Sequence, residues 1–360
     1  MTERLERLRA RLAARELPAL LVSTPTNRRY LSGFTGSAGF LLITAELALL
    51  LTDFRYVEQA ATEAPAFHVR QLQRGLAKEL APLARELGLQ RLAFEAANVT
   101  YQQWEQWQAA ANEVGLELVP VTNLVEPLRQ VKDTEELATI ERAVQIADQA
   151  VQAVCEWLRP GVSERAVAWE LERQMREAGA EGMAFALIVG SGPRGALPHA
   201  QPTEKPIVAG EPVVLDLGCV VDGYHSDLTR TICLGEPDPA YLEIYDIVLR
   251  AQHAAEACIR PGMTGGEADR IARDLIAAAG YGDQFGHSLG HGVGLEIHEG
   301  PTLRRESEDI LQPGMVFSVE PGIYLPGRFG VRLEDLVVLE SDGVRVLSQA
   351  PKAPVVRRSG

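Results

Sequence analysis

The sequence predicts an α/β domain over residues 1–127, followed by an α+β domain over residues 128–360 built from two related halves. Three observations carry this prediction. Short apolar runs alternate with helical patterns through the first third of the chain. A charged linker then opens a long amphipathic helix. An Arg-Pro-Gly-x-Ser/Thr element occurs twice, at 159–163 and 260–264. With 360 residues, the chain is long enough to bury two ordinary cores. Its 46% apolar and 23% charged residues are those of a soluble globular protein.

In the first domain, PALLVS (18–23), GFLLIT (39–44), LALLLT (47–52), RLAFEA (91–96) and LELVPV (116–121) read as strands. Helical patterns lie between them, over 3–15, 54–63, 75–87 and 100–113. Trp104 and Trp107 fall three apart on the last of these, a spacing for packing against a core or interface. FLLITAELALLL (40–51) is too short and too interrupted to span a bilayer. The opening MTERLERLRARLAARE is charged throughout and lacks the apolar core of a signal peptide. Net charge is −14, from 35 Lys+Arg against 49 Asp+Glu, which argues against nucleic acid or an anionic membrane as a partner. Cys155, Cys219, Cys233 and Cys258 show no CxxC spacing and lie in apolar contexts. Buried thiols in a reducing cytosol are expected, and with them a cytoplasmic location.

The second domain opens with LRQVKDTEELATIERAV (128–144), whose acidic first turns suit a helix N-terminus. RPGVSERA (159–166) and RPGMTGGEA (260–268) are offset by 101 residues. Each follows one long helix and opens another, with Ser163 and Thr264 as N-caps and Glu267 completing a capping box. A strand-rich segment follows each helix pair, at 184–235 and at 285–340. The element order thus repeats, which makes a duplication the expected architecture.

The first strand-rich segment holds EPVVLDLGCVVDGYHSDLTRTICLG (211–235), two apolar runs joined through the turn pair Asp222-Gly223. Centring the turn there makes paired residue numbers sum to 445. Asp216 then faces Thr229, and Asp216 and Asp227 become diagonal neighbours on one face, roughly 7–8 Å apart. Asp is depleted in strands and costly to bury unpaired, so Asp216 within VVLDLGCVV needs a partner. That partner is a cation or, on the competing reading, Arg230. Glu320 ends the run MVFSVE before Pro321-Gly322. Glu334 sits in GVRLEDLVVLE with Arg332 on the same strand face and Asp335 on the other.

Between these acids lies FGHSLGHGVGLEIHEGP (285–301), which holds His287, His291 and His298, three of the seven histidines. Imidazoles in a glycine-rich, otherwise apolar segment read as metal ligand plus acid/base groups. Asp216, Asp227, Glu320 and Glu334 carry four negative charges, which two divalent cations balance, and His291 supplies a nitrogen. An oxygen-rich set with one imidazole suits Mn²⁺ best and also accommodates Co²⁺, Fe²⁺ or Zn²⁺. Two such cations sharing a water lower its pKa towards neutrality. Strand parity places His287 and His291 on one face and His298 on the other, so a bulge or bend in the glycine segment is required.

The order and spacing of Asp216, Asp227, His291, Glu320 and Glu334 resemble the dinuclear metallopeptidases of the pita-bread fold, which include methionine aminopeptidases, prolidases and Xaa-Pro aminopeptidases. The eleven-residue gap between the aspartates, HSLGHGVGLEIHE (287–299) and Glu320-Pro321-Gly322 carry the resemblance. RYLSGFTGSAGF (29–40) and LLTDFRYVEQA (50–60) are similar to the creatinase-like N-terminal domain of the small bacterial Xaa-Pro aminopeptidases, so the resemblance covers essentially the whole chain. It implies the five derived residues as metal ligands. Glu320 would also take the proton of the bridging water and pass it to the leaving nitrogen. His298 would hydrogen-bond the scissile carbonyl or its oxyanion, and His199, in GALPHAQPT, would lie near the leaving group. His287 would line the proline pocket, and Arg332 would position the last glutamate.

The resemblance therefore implies a homodimeric, Mn²⁺-dependent Xaa-Pro aminopeptidase that releases the first residue of peptides with proline second. In this branch N-terminal domains commonly close over the partner's site. The rival reading is an Xaa-Pro dipeptidase, which needs a basic group for the free carboxylate of a dipeptide. Some prolidases place an arginine where this chain has Thr302, with Arg304 and Arg305 nearby. A metal-free binding or chaperone relative is the remote alternative.

Overall fold

The computed structural model describes residues 2–356. The chain divides into two compact units, one reaching to Arg129 and one running from Gln130 onward. The first is an α/β unit around a six-stranded mixed sheet, in the order His68–Gln71, Ala48–Thr52, Phe40–Thr44, Ala19–Val22, Arg91–Glu95, Glu117–Val121. All five expected strands are present. Trp107 is buried, edge-on to Phe40 and Phe94 at 6.0 and 6.2 Å.

Two elements of this unit go beyond the sequence expectation. The edge strand His68–Gln71 pairs in parallel with Ala48–Thr52, and its residues HVRQ are half exposed or exposed, so no apolar alternation marks it. The helix Pro25–Ser32 buries Asn27, Arg28 and Ser32 beside Tyr30 and Leu31, which hides its period. Its ends were nonetheless written in the sequence, with Pro25 in the first turn and Gly33 at φ 81° closing it.

The second unit shows the duplication in its backbone. Helices Thr134–Trp157 and Glu164–Glu177 form one pair, and Pro239–Cys258 and Gly265–Ala278 the other. Each first helix stops at a residue with φ near −60° and ψ near 135°, Leu158 or Ile259. The glycine three residues on takes a left-handed φ, 93° at Gly161 and 89° at Gly262. Their N–H groups donate to Ile207 and Leu311, each at 2.8 Å. Ser163 then caps through the Ala166 N–H and Thr264 through the Glu267 N–H, the latter in a full capping box. Each pair buries its apolar face against strands of its own half, Val213, Leu215 and Ile232 in one, Phe317, Val319 and Val337 in the other.

The strands form a four-stranded sheet, Val355–Val356, Leu228–Leu234, Pro212–Leu217, Ile188–Ser191, and a five-stranded one, Glu299–Leu303, Gly290–Gly292, Val316–Val319, Asp335–Leu339, Val344–Val346. The ribbon Gly322–Leu325 with Phe329–Arg332 forms a two-stranded sheet. The expected hairpin register holds, with Asp216 opposite Thr229 and Val221 opposite Tyr224 around Asp222 and Gly223 at φ 45° and 74°. The ladder is broken in the middle, however. Cys219–Val221 and Tyr224–His225 leave for a separate three-stranded sheet. Gly218 marks the break, because a Cβ there would run into the Ser226 carbonyl. Among the described residues, no helix is long and apolar enough to cross a membrane.

A candidate metal centre

Three of the acids lie where the chain leaves one sheet and enters another. Asp227 sits between Tyr224–His225 and Leu228–Leu234, Glu320 between Val316–Val319 and Gly322–Leu325, and Glu334 between Phe329–Arg332 and Asp335–Leu339. A residue at such a crossing is freed from the ladder and aims into the gap between sheets. Asp216, near the end of its strand, and His291, within Gly290–Gly292, complete the set. All five line one cavity of about 520 Å³, and His199, His287, His298 and Arg332 line it too. The five expected ligands thus share one cavity with the four residues that the resemblance adds.

Asp216, Asp227 and Glu334 are buried and Glu320 is half-buried. Single donors orient three of them. Thr229 Oγ1 donates to Glu334 at 2.6 Å, Ser318 Oγ donates to Glu320 at 3.0 Å, and Arg332 Nη2 holds Asp216. Arg332 has a different partner from the one expected. Its guanidinium pairs with Asp216 and reaches Glu334 only through Thr229, whose hydroxyl accepts from Arg332 Nε at 3.1 Å. Arg230 turns the other way, to Asp335 at 2.8 Å and the Glu334 carbonyl at 2.6 Å. The salt bridge from Asp216 to Arg230 is therefore excluded, as strand parity requires.

The His298 parity conflict is resolved as a register shift. His291 faces Thr302, but the next residue, Gly292, faces Glu299. The chain then turns back through Val293–Ile297, and the His291 and His298 rings approach to 4.3 Å between centroids. The turn is pinned from behind by Glu299, which forms a buried ion pair with Lys132 at 2.7 Å.

His287 ends a relay. Its Nδ1–H donates to the Ser288 carbonyl at 2.8 Å, leaving Nε2 to accept from the Tyr324 hydroxyl at 3.0 Å. That hydroxyl accepts in turn from Arg332 Nη1 at 2.8 Å. Thr229, Ser318 and Tyr324 were not singled out from the sequence. A signal existed for the first two, since each lies on a strand two residues from one of the clustered acids, with the parity that points it the same way. Arg304 and Arg305 are exposed and do not line the cavity.

The donor set fits divalent cations on four counts. One oxygen atom from each of Asp227 and Glu334 and one nitrogen atom of His291 lie within 4.8 Å of one another. Glu334 Oε1 is buried with no hydrogen-bond donor. His291 directs Nδ1 at the Gly292 carbonyl at 3.1 Å, so Nε2 presents a lone pair to Glu320 at 3.3 Å and Asp227 at 3.6 Å. Burial keeps that imidazole neutral by lowering its pKa, so two acceptors face each other unless a cation lies between. Burial and then the neighbouring carboxylates also push Asp227 and Glu334 well above the usual carboxylate range, and burial raises Glu320 as well. Cations would relieve all of this.

Comparison with known proteins decides the family. Residues 138–341 match metallopeptidase family M24, and residues 4–131 match the creatinase/prolidase N-terminal domain. The chain belongs to metallopeptidase family M24. Among M24 relatives, the Xaa-Pro dipeptidase of Pyrococcus furiosus is 38% identical, over 98% of this chain and 99% of the relative. A solved Xaa-Pro dipeptidase from Bacillus anthracis is 44% identical with a TM-score of 0.95, covering 98% and 99% of the two chains. An X-Pro aminopeptidase from Thermotoga maritima is 37% identical with a TM-score of 0.90 over the same shares. The pita-bread architecture behind a creatinase-type N-terminal domain is thus established for this chain, as is a metal-dependent hydrolase of peptide bonds.

Proposed function

We propose that the chain hydrolyses the bond between an N-terminal residue and proline, with Xaa-Pro dipeptides as its substrates. The observation that supports this most directly is the convergence of four carboxylates and a neutral imidazole in one cavity, in a chain whose full-length relatives include Xaa-Pro dipeptidases. Asp216, Asp227, His291, Glu320 and Glu334 would hold two divalent cations, Mn²⁺ best matching so oxygen-rich a set. Bound there, the cations supply Lewis acidity towards the scissile carbonyl and acidify a water.

The chain's own groups do the rest. Glu320, whose pKa burial raises, takes the proton of the attacking water and delivers it to the proline nitrogen. That nitrogen has no N–H before cleavage and leaves as a secondary amine, so the delivered proton is essential. His298, exposed beside His291, donates to the carbonyl oxygen as it becomes an oxyanion. His199, exposed on the rim, serves the leaving side. The relay from Arg332 through Tyr324 fixes His287 against the proline ring.

A second reading, Xaa-Pro aminopeptidase, is favoured by one observation. Among the described residues, the cation lining the cavity is Arg332, which is already committed to Asp216, so none of them is left to line it for a dipeptide carboxylate. Under the dipeptidase reading that cation would come from the partner of a homodimer. The four free cysteines support a reducing, cytoplasmic setting. Hydrolysis of Ala-Pro and Ala-Pro-Ala by metal-stripped protein, before and after Mn²⁺ is restored, separates the two. Metal-dependent cleavage confined to Ala-Pro is the dipeptidase result. Efficient cleavage of the tripeptide transfers the assignment to an aminopeptidase, and no cleavage of either rejects both.

A further inference from the structure

His199 is carried on a segment that departs from the strand Ile188–Ser191 and returns at Thr203, with Pro198, His199 and Gln201 lining the cavity. The two ends of this segment meet on a single side chain. Glu164, the first residue of the helix Glu164–Glu177, has a side chain with no solvent exposure. Its Oε1 accepts from the Ser191 N–H at 2.9 Å and the Ser191 hydroxyl at 2.8 Å. Its Oε2 accepts from the Thr203 N–H at 3.1 Å and the Thr203 hydroxyl at 2.7 Å. Arg194 Nε spans both oxygens at 3.2 and 3.0 Å, and Arg194 Nη2 reaches on to the Gln201 carbonyl.

A buried carboxylate is costly unless its lone pairs are filled, and here they are filled from both ends of one loop. Hydrogen bonds from Thr203 and Ser191 hold it below the ordinary carboxylate range although burial pulls the other way. Backbone bonds from Glu164 N–H to the Lys205 carbonyl and from Arg165 N–H to the Thr203 carbonyl already tie the returning end to the helix. Those bonds secure the returning end without the side chain. What it adds is the register of one end against the other, and through Arg194 the placement of the tip.

We propose that Glu164 is a positioning residue for peptide cleavage, setting the loop that presents His199 to the cavity. This rests on reading that cavity as the peptide-cleaving site.

Glu164→Gln tests it, because each end of the loop presents a backbone N–H that can only donate. The amide NH₂ must face one of these, which loses that bond and loosens that end while keeping the side-chain volume. The variant is compared with His199→Ala and with the double variant, all Mn²⁺-loaded. A misplaced catalytic group costs on the order of 10²-fold, so kcat/KM of Glu164→Gln should fall by about 10- to 100-fold with bound metal unchanged. The double variant should be no worse than His199→Ala alone, the non-additivity of residues acting through one group. Hydrogen exchange should quicken over 192–202 and stay unaltered over 285–298. Additive losses, or exchange over 192–202 that matches the wild type, overturn the inference. Should Glu164→Gln not fold, Thr203→Val and Ser191→Ala each remove one hydroxyl from the clamp and give the same comparisons in smaller measure. A wild type that cleaves no Xaa-Pro peptide refutes the proposed function instead, and the exchange comparison then judges the clamp alone.

Discussion

Asp227→Asn separates what the carboxylate cluster does for the fold from what it does for chemistry. Among the described residues none donates a hydrogen bond to the Asp227 side chain, so an amide of equal shape fits without stranding a donor. One oxygen from each of Asp227 and Glu334 lies within 4.8 Å of the other. With both ionised and an effective dielectric near 20, their repulsion is about 3 kcal/mol. The metal-free protein lessens it by protonation, which is why burial and the neighbouring acids raise both pKa values. A raised carboxyl binds protons in the folded state that the unfolded chain has already lost. Stability of the stripped wild type therefore falls as pH rises from the ordinary carboxylate range near 4. Stripped Asp227→Asn should be more stable than stripped wild type by about 1–3 kcal/mol at pH 7.5, with the gap closing towards pH 4. Saturating Mn²⁺ should invert the order, since a ligand at a hundredfold its Kd adds about 2.7 kcal/mol to a protein that binds it. Turnover of the variant should drop by at least about 10²-fold. Urea unfolding at pH 5 and 7.5, with and without Mn²⁺, gives the four stabilities. A stripped variant less stable than wild type at pH 7.5, or near-normal turnover, would refute the reasoning.

Arg332→Met leaves Asp216 buried without its cation and removes the donor to Tyr324; it should cost about 3–5 kcal/mol in urea unfolding of the stripped protein. Gly218→Ala drives a Cβ into the Ser226 carbonyl and should shift Asp227, lowering turnover and stability together by about 2 kcal/mol or more. Glu256, raised to about 8 by burial and by Asp335, is a pH probe outside the set of five clustered residues. Its folded pKa exceeds the ordinary 4.5, so the wild type loses stability from this group as pH climbs from 4.5 to about 8 and levels off above. Metal-loaded Glu256→Gln should lack that loss, and its urea midpoint should gain on wild type across the same window.

The hairpin register and the duplicated caps were legible because local chemistry sets them. Asp222-Gly223 takes a left-handed turn, and Ser163 and Thr264 cap helices wherever such residues precede a helical pattern. The clustered acids were legible because a carboxylate in an apolar run needs a counter-charge. What escaped was the geometry that long-range packing decides. The break at Gly218 depends on the approach of Ser226, and the register shift after His291 depends on Glu299 and Lys132, which is distant in sequence. The partner of Arg332 could not be chosen from parity alone, since Glu334 shares its strand face but Asp216 comes from another sheet. Helix Pro25–Ser32 escaped for a different reason. Its buried face is largely polar, so the apolar period that betrays most helices is missing.

The central claim is that these five side chains hold two cations and that peptide cleavage depends on them. Titrating stripped protein with Mn²⁺ while measuring bound metal and Ala-Pro hydrolysis in the same samples tests it most directly. Two Mn²⁺ per chain are expected at saturation, with hydrolysis that is absent without metal and rises as the sites fill. Undiminished hydrolysis by fully stripped protein, or a folded chain that binds no Mn²⁺, would contradict it.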